Sequence, residues 1–268
     1  MMSNPVWEVT LQVYGPITVK RTIRLNEPKG YRLRDPFYSD IEIRRSQMGV
    51  EAIVTAFAST EGLAYKAALL FFGQMLDVMS YQIDQPLFLS LIDRRPNFNK
   101  EYKTRRRVER REWKDAFKES RLLALSEPTF LRALGWYRKG LYTEDPFDKF
   151  TAFWNSMENV SGKYHPPIPA DKPSGSKSQM WESFKAVWGE CEKWPIIAGQ
   201  KGWIDENNDI RNEIAHGVKP INIETVENVL GKLEIIRKVA RRFLTDWRTR
   251  KLKPEIPLDL RQIYGYDE

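Results

Sequence analysis

The sequence predicts an α+β chain, with a small β-rich α+β unit first and an all-helical bundle after it. Three observations carry that prediction. Period-two alternation of Val, Ile and Thr dominates the first hundred residues and nearly vanishes beyond Lys100. Beyond that point apolar residues recur at helical spacing. Tryptophan follows the same division: of the nine in the chain, only Trp7 precedes Lys100.

Trp7–Tyr14 and Ile17–Leu25 read as strands, and Gly15-Pro16 between them predicts a tight turn and a β-hairpin. Ile41–Arg45 and Val50–Ala58 read as two further strands, with Gly49 as the bend between them. Glu61–Ile83 changes to helical spacing, with Leu63, Ala67, Leu70, Met75 and Met79 on or near one face. Pro86–Ile92 reads as a short closing strand, and the Pro/Asn/Lys stretch 94–100 ends the unit. Helices are then expected at 105–125, 128–141, 146–161, 177–192, 203–217 and 223–250. The third has Asp145 as N-cap, Pro146 at the first helical position and a stripe of Phe147, Phe150, Phe153, Trp154 and Met157. The last carries Val226, Val229, Leu230, Leu233, Ile236, Ala240, Phe243, Leu244 and Trp247 close to heptad spacing, with Lys and Arg opposite. The Pro/Gly/Ser-rich segment 164–178 is expected to be an exposed loop, and Pro254 and Pro257 stop the last helix. The expected domains are 1–98, 99–252 and a tail, 253–268.

Composition narrows the chemistry. The 268 residues hold 43 Lys and Arg against 36 Asp and Glu, a net charge of +7 that suits a polyanion partner without specifying one. One cysteine, Cys191, excludes a disulfide framework and a cysteine metal cage, and is expected to be a small core residue. Two histidines, His165 and His216, exclude a multi-histidine zinc site, and neither a metal nor a cofactor is expected. The N-terminal residues show no charged start followed by an apolar run. The most apolar stretch, Gly62–Met79, is broken by Lys66, Gln74 and Asp77. A soluble cytoplasmic protein with no membrane partner is the expectation.

The stretch richest in chemistry is Asp205–Pro220, centred on Arg211-Asn212-Glu213-Ile214-Ala215-His216. Gly217 and Pro220 stop its helix. At about 100° per residue, Asn212 and His216 share a face and Arg211 flanks it. A histidine at a helix C-terminus feels the negative end of the dipole, which favours its protonated form. The plain alternative is capping, with Arg211 paired to Glu158 or Asp209.

Arg-x4-His with Asn beside the Arg, between helices of an all-α domain, resembles the signature of the HEPN superfamily (higher eukaryotes and prokaryotes nucleotide-binding). Asp145–Val160 is similar to the aromatic helix of that superfamily, and Glu158 matches the acidic position near its end. The resemblance covers about residues 105 to 250. The whole architecture is also similar to a methylamine-utilisation family that appends a domain to a HEPN-like one. The resemblance implies a metal-independent endoribonuclease whose two chains pair to line one cleft, cutting single-stranded RNA to 2′,3′-cyclic phosphate ends in a toxin or antiviral role. It implies His216 as general acid or base, Arg211 on the scissile phosphate, Asn212 as orienter and Glu158 in support. RNA carries its own nucleophile, so a proton shuttle and a cation suffice, and a guanidinium matches a phosphate with two parallel hydrogen bonds.

A second feature is the basic run Lys100–Lys114. Its Arg105, Arg106, Arg107, Arg110 and Arg111 either form a solvated face or track an RNA backbone. Arg237, Lys238, Arg241, Arg242, Arg248, Arg250 and Lys251 on the last helix add to the positive charge. The expected partners are RNA, a second copy of the chain and a regulatory protein, with the N-terminal unit sensing or gating. The alternative is a non-catalytic HEPN-like scaffold contacting RNA, a nucleotide or a protein. The first hundred residues hold no histidine, cysteine or glycine-rich phosphate loop, which leaves a small-molecule enzyme there without support.

Overall fold

The computed structural model describes residues 5–30, 36–90, 104–216 and 223–254, without the side chains of 28–30, 36–39, 216 and 223. The chain is mixed α+β and divides into two compact units, one reaching to Glu127 and one spanning Pro128–Lys253.

The first unit is built on an antiparallel sheet of β1 (Val6–Tyr14), β3 (Ile23–Gly30), β4 (Pro36–Ser46), β5 (Gly49–Phe57) and β6 (Phe88–Leu89), in the order β3-β4-β5-β1-β6. The period-two pattern puts one face in the core. Leu25, Ile41, Val54 and Val9 form one cross-strand row, and Ile23, Ile43, Ala52 and Leu11 the next; all are buried. Helix α1 (Glu61–Ile83) covers this face, and α2 (Arg110–Ser126) packs beside it, Phe72 meeting Trp113 and Phe117 at ring distances of 6.3 and 5.8 Å.

Four expectations are corrected in this unit. The hairpin between 7–14 and 17–25 does not form, because β1 already pairs with β5 on one edge and β6 on the other. Alternation marks a face but not a partner, so it could not choose between these pairings. The expected strand 17–25 is also two strands. β2 (Ile17–Thr18) pairs in parallel with β7 (Arg106–Arg107), residues 19–22 leave the ladder, and β3 resumes beside β4. That pairing delays the helix expected from 105 until Arg110, where the Glu112 carboxylate accepts from the Glu109 N–H at 2.9 Å. Finally, α1 buries Ala64, Ala68, Phe72, Met75, Leu76 and Met79, while Leu63 and Leu70 are 50% and 64% exposed. The buried stripe is rotated by one position from the expected one over the first turns.

The two strands expected around Gly49 form a hairpin, with the turn at Gln47-Met48 and Gly49 as the first residue of β5. Ser46 opposes Gly49 across a two-residue turn. Gly49 has φ +156°, and a Cβ there would fall 2.1 Å from the Val13 carbonyl oxygen, so the position requires glycine. Of the expected closing strand, Phe88 and Leu89 pair with β1, and 91–92 lie outside the described residues, as do the segment 94–100 and the tail from 255.

Every regular element described in the second unit is helical: α3 (Pro128–Tyr142), α4 (Pro146–Tyr164), α5 (Ser176–Trp188), a 3₁₀ turn at Cys191–Lys193, α6 (Trp203–His216) and α7 (Ile223–Arg250). These spans follow the expected ones closely. Helix α2, expected in the bundle, belongs instead to the first unit, because its buried Trp113, Ala116, Phe117 and Leu123 pack with α1.

Helix α4 is the hub and packs against the other four helices. Asp145 caps it, accepting from Asp148 N–H at 2.9 Å. Phe150, Phe153, Trp154 and Met157 are fully buried, as the aromatic stripe predicted, as is Val160 beyond it, although Phe147 is only half-buried. On α7, Val229, Ile236, Val239, Ala240, Phe243, Leu244 and Trp247 are buried, whereas Leu230 is 52% exposed. Most of the tryptophans and phenylalanines of this unit are buried: Phe184 packs against Phe243 at 4.8 Å and Trp194 at 5.2 Å, and Trp154 lies 6.3 Å from Trp203.

Candidate functional site

The site begins with the way α6 is seated. Its buried face carries Trp203, Ile204, Asn207 and Asn208, and one turn further on come Arg211 and Asn212, both half-buried. Apolar contact secures the N-terminal end of the helix, where Trp203 faces Trp154 of α4. Polar contact takes over toward its C-terminal end.

One turn beyond Trp154 on α4 stands Glu158, whose Oε2 accepts from Arg211 Nη2 at 3.2 Å. The second arm of the guanidinium, Nη1, donates to Asn212 Oδ1 at 3.1 Å, and Nε is buried without a hydrogen-bond partner. Two of the three residues named for catalysis are therefore in contact, and the residue named in support holds one of them. Of His216 the structure describes the backbone, which ends α6; Gly217 and Pro220 lie outside the described residues. The capping alternative is met in part: Arg211 pairs with Glu158, while Asp209 serves another partner.

That partner is Lys177 at the start of α5, which bridges Asp209 at 2.9 Å and Asp205 at 3.3 Å. The hydrogen bond from Lys177 holds the Asp209 carboxyl below its usual range, and the same bond raises the Lys177 ammonium. Lys232 of α7 reaches Glu206 at 3.4 Å on another flank. Salt-bridge links to α4, α5 and α7 thus fix the rotation of α6 and aim its Arg211 edge at α4. Lys177 and Lys232 were missed in the sequence, where an isolated lysine beside a distant acidic helix carries no signal.

The other named residues sit elsewhere. Arg105, Arg106, Arg107, Arg110 and Arg111 belong to the first unit, and most are engaged there. Arg105 donates to the Ser46 carbonyl at 3.0 Å, Arg106 pairs with Glu112 at 2.7 Å, Arg107 with Glu109 at 2.7 Å and Arg111 with Asp115 at 3.5 Å. Much of the charge on α7 is likewise used within the unit: Arg237 and Lys238 pair with Glu234, and Arg242 and Arg250 with Asp246. Cys191 is buried, and burial pushes its thiol up, which suits a core residue. His165 caps the end of α4 with Nδ1 2.7 Å from the Pro166 carbonyl oxygen. The segment 165–175 that follows has no regular structure and is largely exposed, with Lys172 tied to Glu182 at 2.7 Å.

Comparison with family models, with curated proteins and with solved structures returned no match. Among the described residues no helix is long and apolar enough to cross a membrane.

Proposed function

We propose that the helical unit is a HEPN-like, metal-independent endoribonuclease that works as a homodimer on single-stranded RNA, in a toxin or antiviral role. The observation that supports this reading is the Arg211 guanidinium, held by Glu158 and Asn212 and still 28% exposed, so that it is oriented yet reachable. A phosphate entering there takes up donor capacity that the Glu158 bond leaves free, and an oriented cation loses little freedom when it meets the charge that develops on the phosphoryl oxygens. His216 closes the same helix one turn beyond Asn212 and supplies the proton transfer to and from the 2′-hydroxyl and the leaving oxygen. The products carry 2′,3′-cyclic phosphate ends. Two copies are needed because one chain brings one histidine to the motif, and the exposed Leu230 on α7 offers apolar surface for pairing.

A second reading rests on the same ion pair. With Glu158 occupying one arm of Arg211, the motif can serve as a structural clasp in a non-catalytic scaffold that contacts RNA, a nucleotide or a protein. Incubating the purified chain with total RNA in EDTA separates the two. Cleavage to cyclic phosphate ends that disappears in both Arg211→Ala and His216→Ala supports the nuclease. RNA left intact at large protein excess establishes the scaffold. Light scattering at micromolar concentration must give twice the chain mass for the shared cleft to stand.

A further inference from the structure

The first unit contains a cavity of about 700 Å³, within the size range of small-molecule sites. Its walls come from residues 20–24, from Glu42 and from residues 107, 109 and 110. The parallel pairing of β2 with β7 sets residues 19–22, which leave the ladder, beside the entry to α2. Lys20, Arg21 and Arg24 line one side, and Arg107 and Arg110 the other.

Two carboxylates also line it, and both are already neutralised. Glu42 accepts from Arg44 and from Arg24, the latter at 3.0 Å, and the bonds from Arg44 and then Arg24 hold its carboxyl below the usual range. Glu109 pairs with Arg107 at 2.7 Å. The side chains of Lys20, Arg21 and Arg110 form no hydrogen bond or ion pair among the described residues; Arg110 has only a longer-range attraction to the buried Glu27. Among the described residues, three uncompensated cations therefore line one concave space, where field lines concentrate and an anion is favoured.

We infer that this cavity is a binding site for a compact oligophosphate, such as the phosphate chain of a nucleotide or a free polyphosphate. The lining names the ligand class. It is rich in guanidinium, which takes phosphate in two parallel hydrogen bonds. It holds no aromatic ring, and Ile23 is its one aliphatic side chain, so it offers no apolar or aromatic slot for a nucleobase. The free charge is gathered in one pocket instead of being strung along a face, since Arg105, Arg106 and Arg111 are engaged elsewhere; that favours a short, dense anion over a long RNA strand. The site stands independently of the ribonuclease reading, and its test involves no cleavage.

The test is calorimetric titration of the full chain with tripolyphosphate, with ATP and with a 12-nucleotide single-stranded RNA. The variants are K20A/R21A/R110A and, as a control for net charge, K66A/K185A/K238A, each checked for native circular dichroism. The expected result is saturable binding of tripolyphosphate and ATP with similar affinity, weakened at least tenfold in the first variant and less than threefold in the control, and falling as salt rises. Several outcomes would overturn the assignment: no saturable binding at 1 mM tripolyphosphate, equal loss in both variants, ATP binding without tripolyphosphate binding, or RNA binding that tripolyphosphate does not displace.

Discussion

Glu158 of α4 and Arg211 of α6 stand 53 positions apart in the chain and meet at 3.2 Å. The contact joins the hub of the helical unit to the helix that carries the motif. With both side chains less than a third exposed, it is worth about 1 kcal/mol. Glu158→Gln keeps the shape, removes the charge and is expected to lower the thermal midpoint by about 4 °C. Under the nuclease reading it also lowers kcat at least tenfold at temperatures far below that midpoint. A kcat that follows only the folded fraction would reduce Glu158 to a packing role.

Asp246 of α7 accepts from Trp188 Nε1 at 2.8 Å and from Arg242 Nε at 2.6 Å, which ties α5 to α7. Burial acts to raise its pKa, but the bonds from Arg242 and Trp188 outweigh it and leave the carboxyl below its usual value. The folded state thus holds its proton less tightly than the unfolded state. The stabilisation is complete above the ordinary aspartate range, about pH 3.9, and disappears as pH falls through the lower folded value. Asp246→Asn retains one acceptor for two donors and is expected to cost about 2 kcal/mol at pH 7 in urea unfolding. The acid limb of its stability profile becomes flatter than that of the parent.

Glu27 has the opposite sign. It occupies a core-facing position of β3, following Ile23 and Leu25, and is 8% exposed. Burial raises its carboxyl above the usual range, against the pull of Lys114, Arg110 and Lys118 on α2. The folded state therefore binds the proton more tightly. The contribution is present below the unfolded value, about pH 4.3, and is lost as pH rises through the folded one. Glu27→Gln is expected to leave the unit at least as stable at pH 7 and to remove that stretch of pH dependence. A clear loss of stability at pH 7 would show instead that the attraction to α2 dominates.

Gly140 on α3 lies against α4 so closely that a Cβ would fall 2.7 Å from the Phe153 ring. Phe153 is buried and packs against Tyr137 at 5.4 Å, so it cannot swing aside. Alanine would gain about 1 kcal/mol in helix propensity, while overpacking a fixed ring costs about 1–3 kcal/mol. Gly140→Ala is expected to destabilise the helical unit, seen as a lower urea midpoint with an unchanged slope.

How much was legible in the sequence depends on the range of the interaction. Local signals were sufficient where the physics is local. Asp145-Pro146 marked the start of α4, the aromatic stripe marked most of its buried face, and Gly49 marked the strand edge just after the β4–β5 turn. Glu158 was one of the two partners that the capping alternative named for Arg211, and the structure shows that pair.

Pairing in space was not legible. The strands of the first unit share one alternating pattern, so Trp7–Tyr14 could be given a face but not its neighbours, and the expected hairpin gave way to β5 and β6. The basic run was visible as charge, yet only the β2–β7 pairing decided which arginines are engaged and which share a cavity with Lys20 and Arg21. The sequence by itself determined where most helices run, most of the buried face of α4 and how much positive charge the chain carries. The tertiary structure alone decided which charges meet: an ion pair or a pocket depends on distances of a few ångströms between segments far apart in the chain, and backbone periodicity holds no record of them.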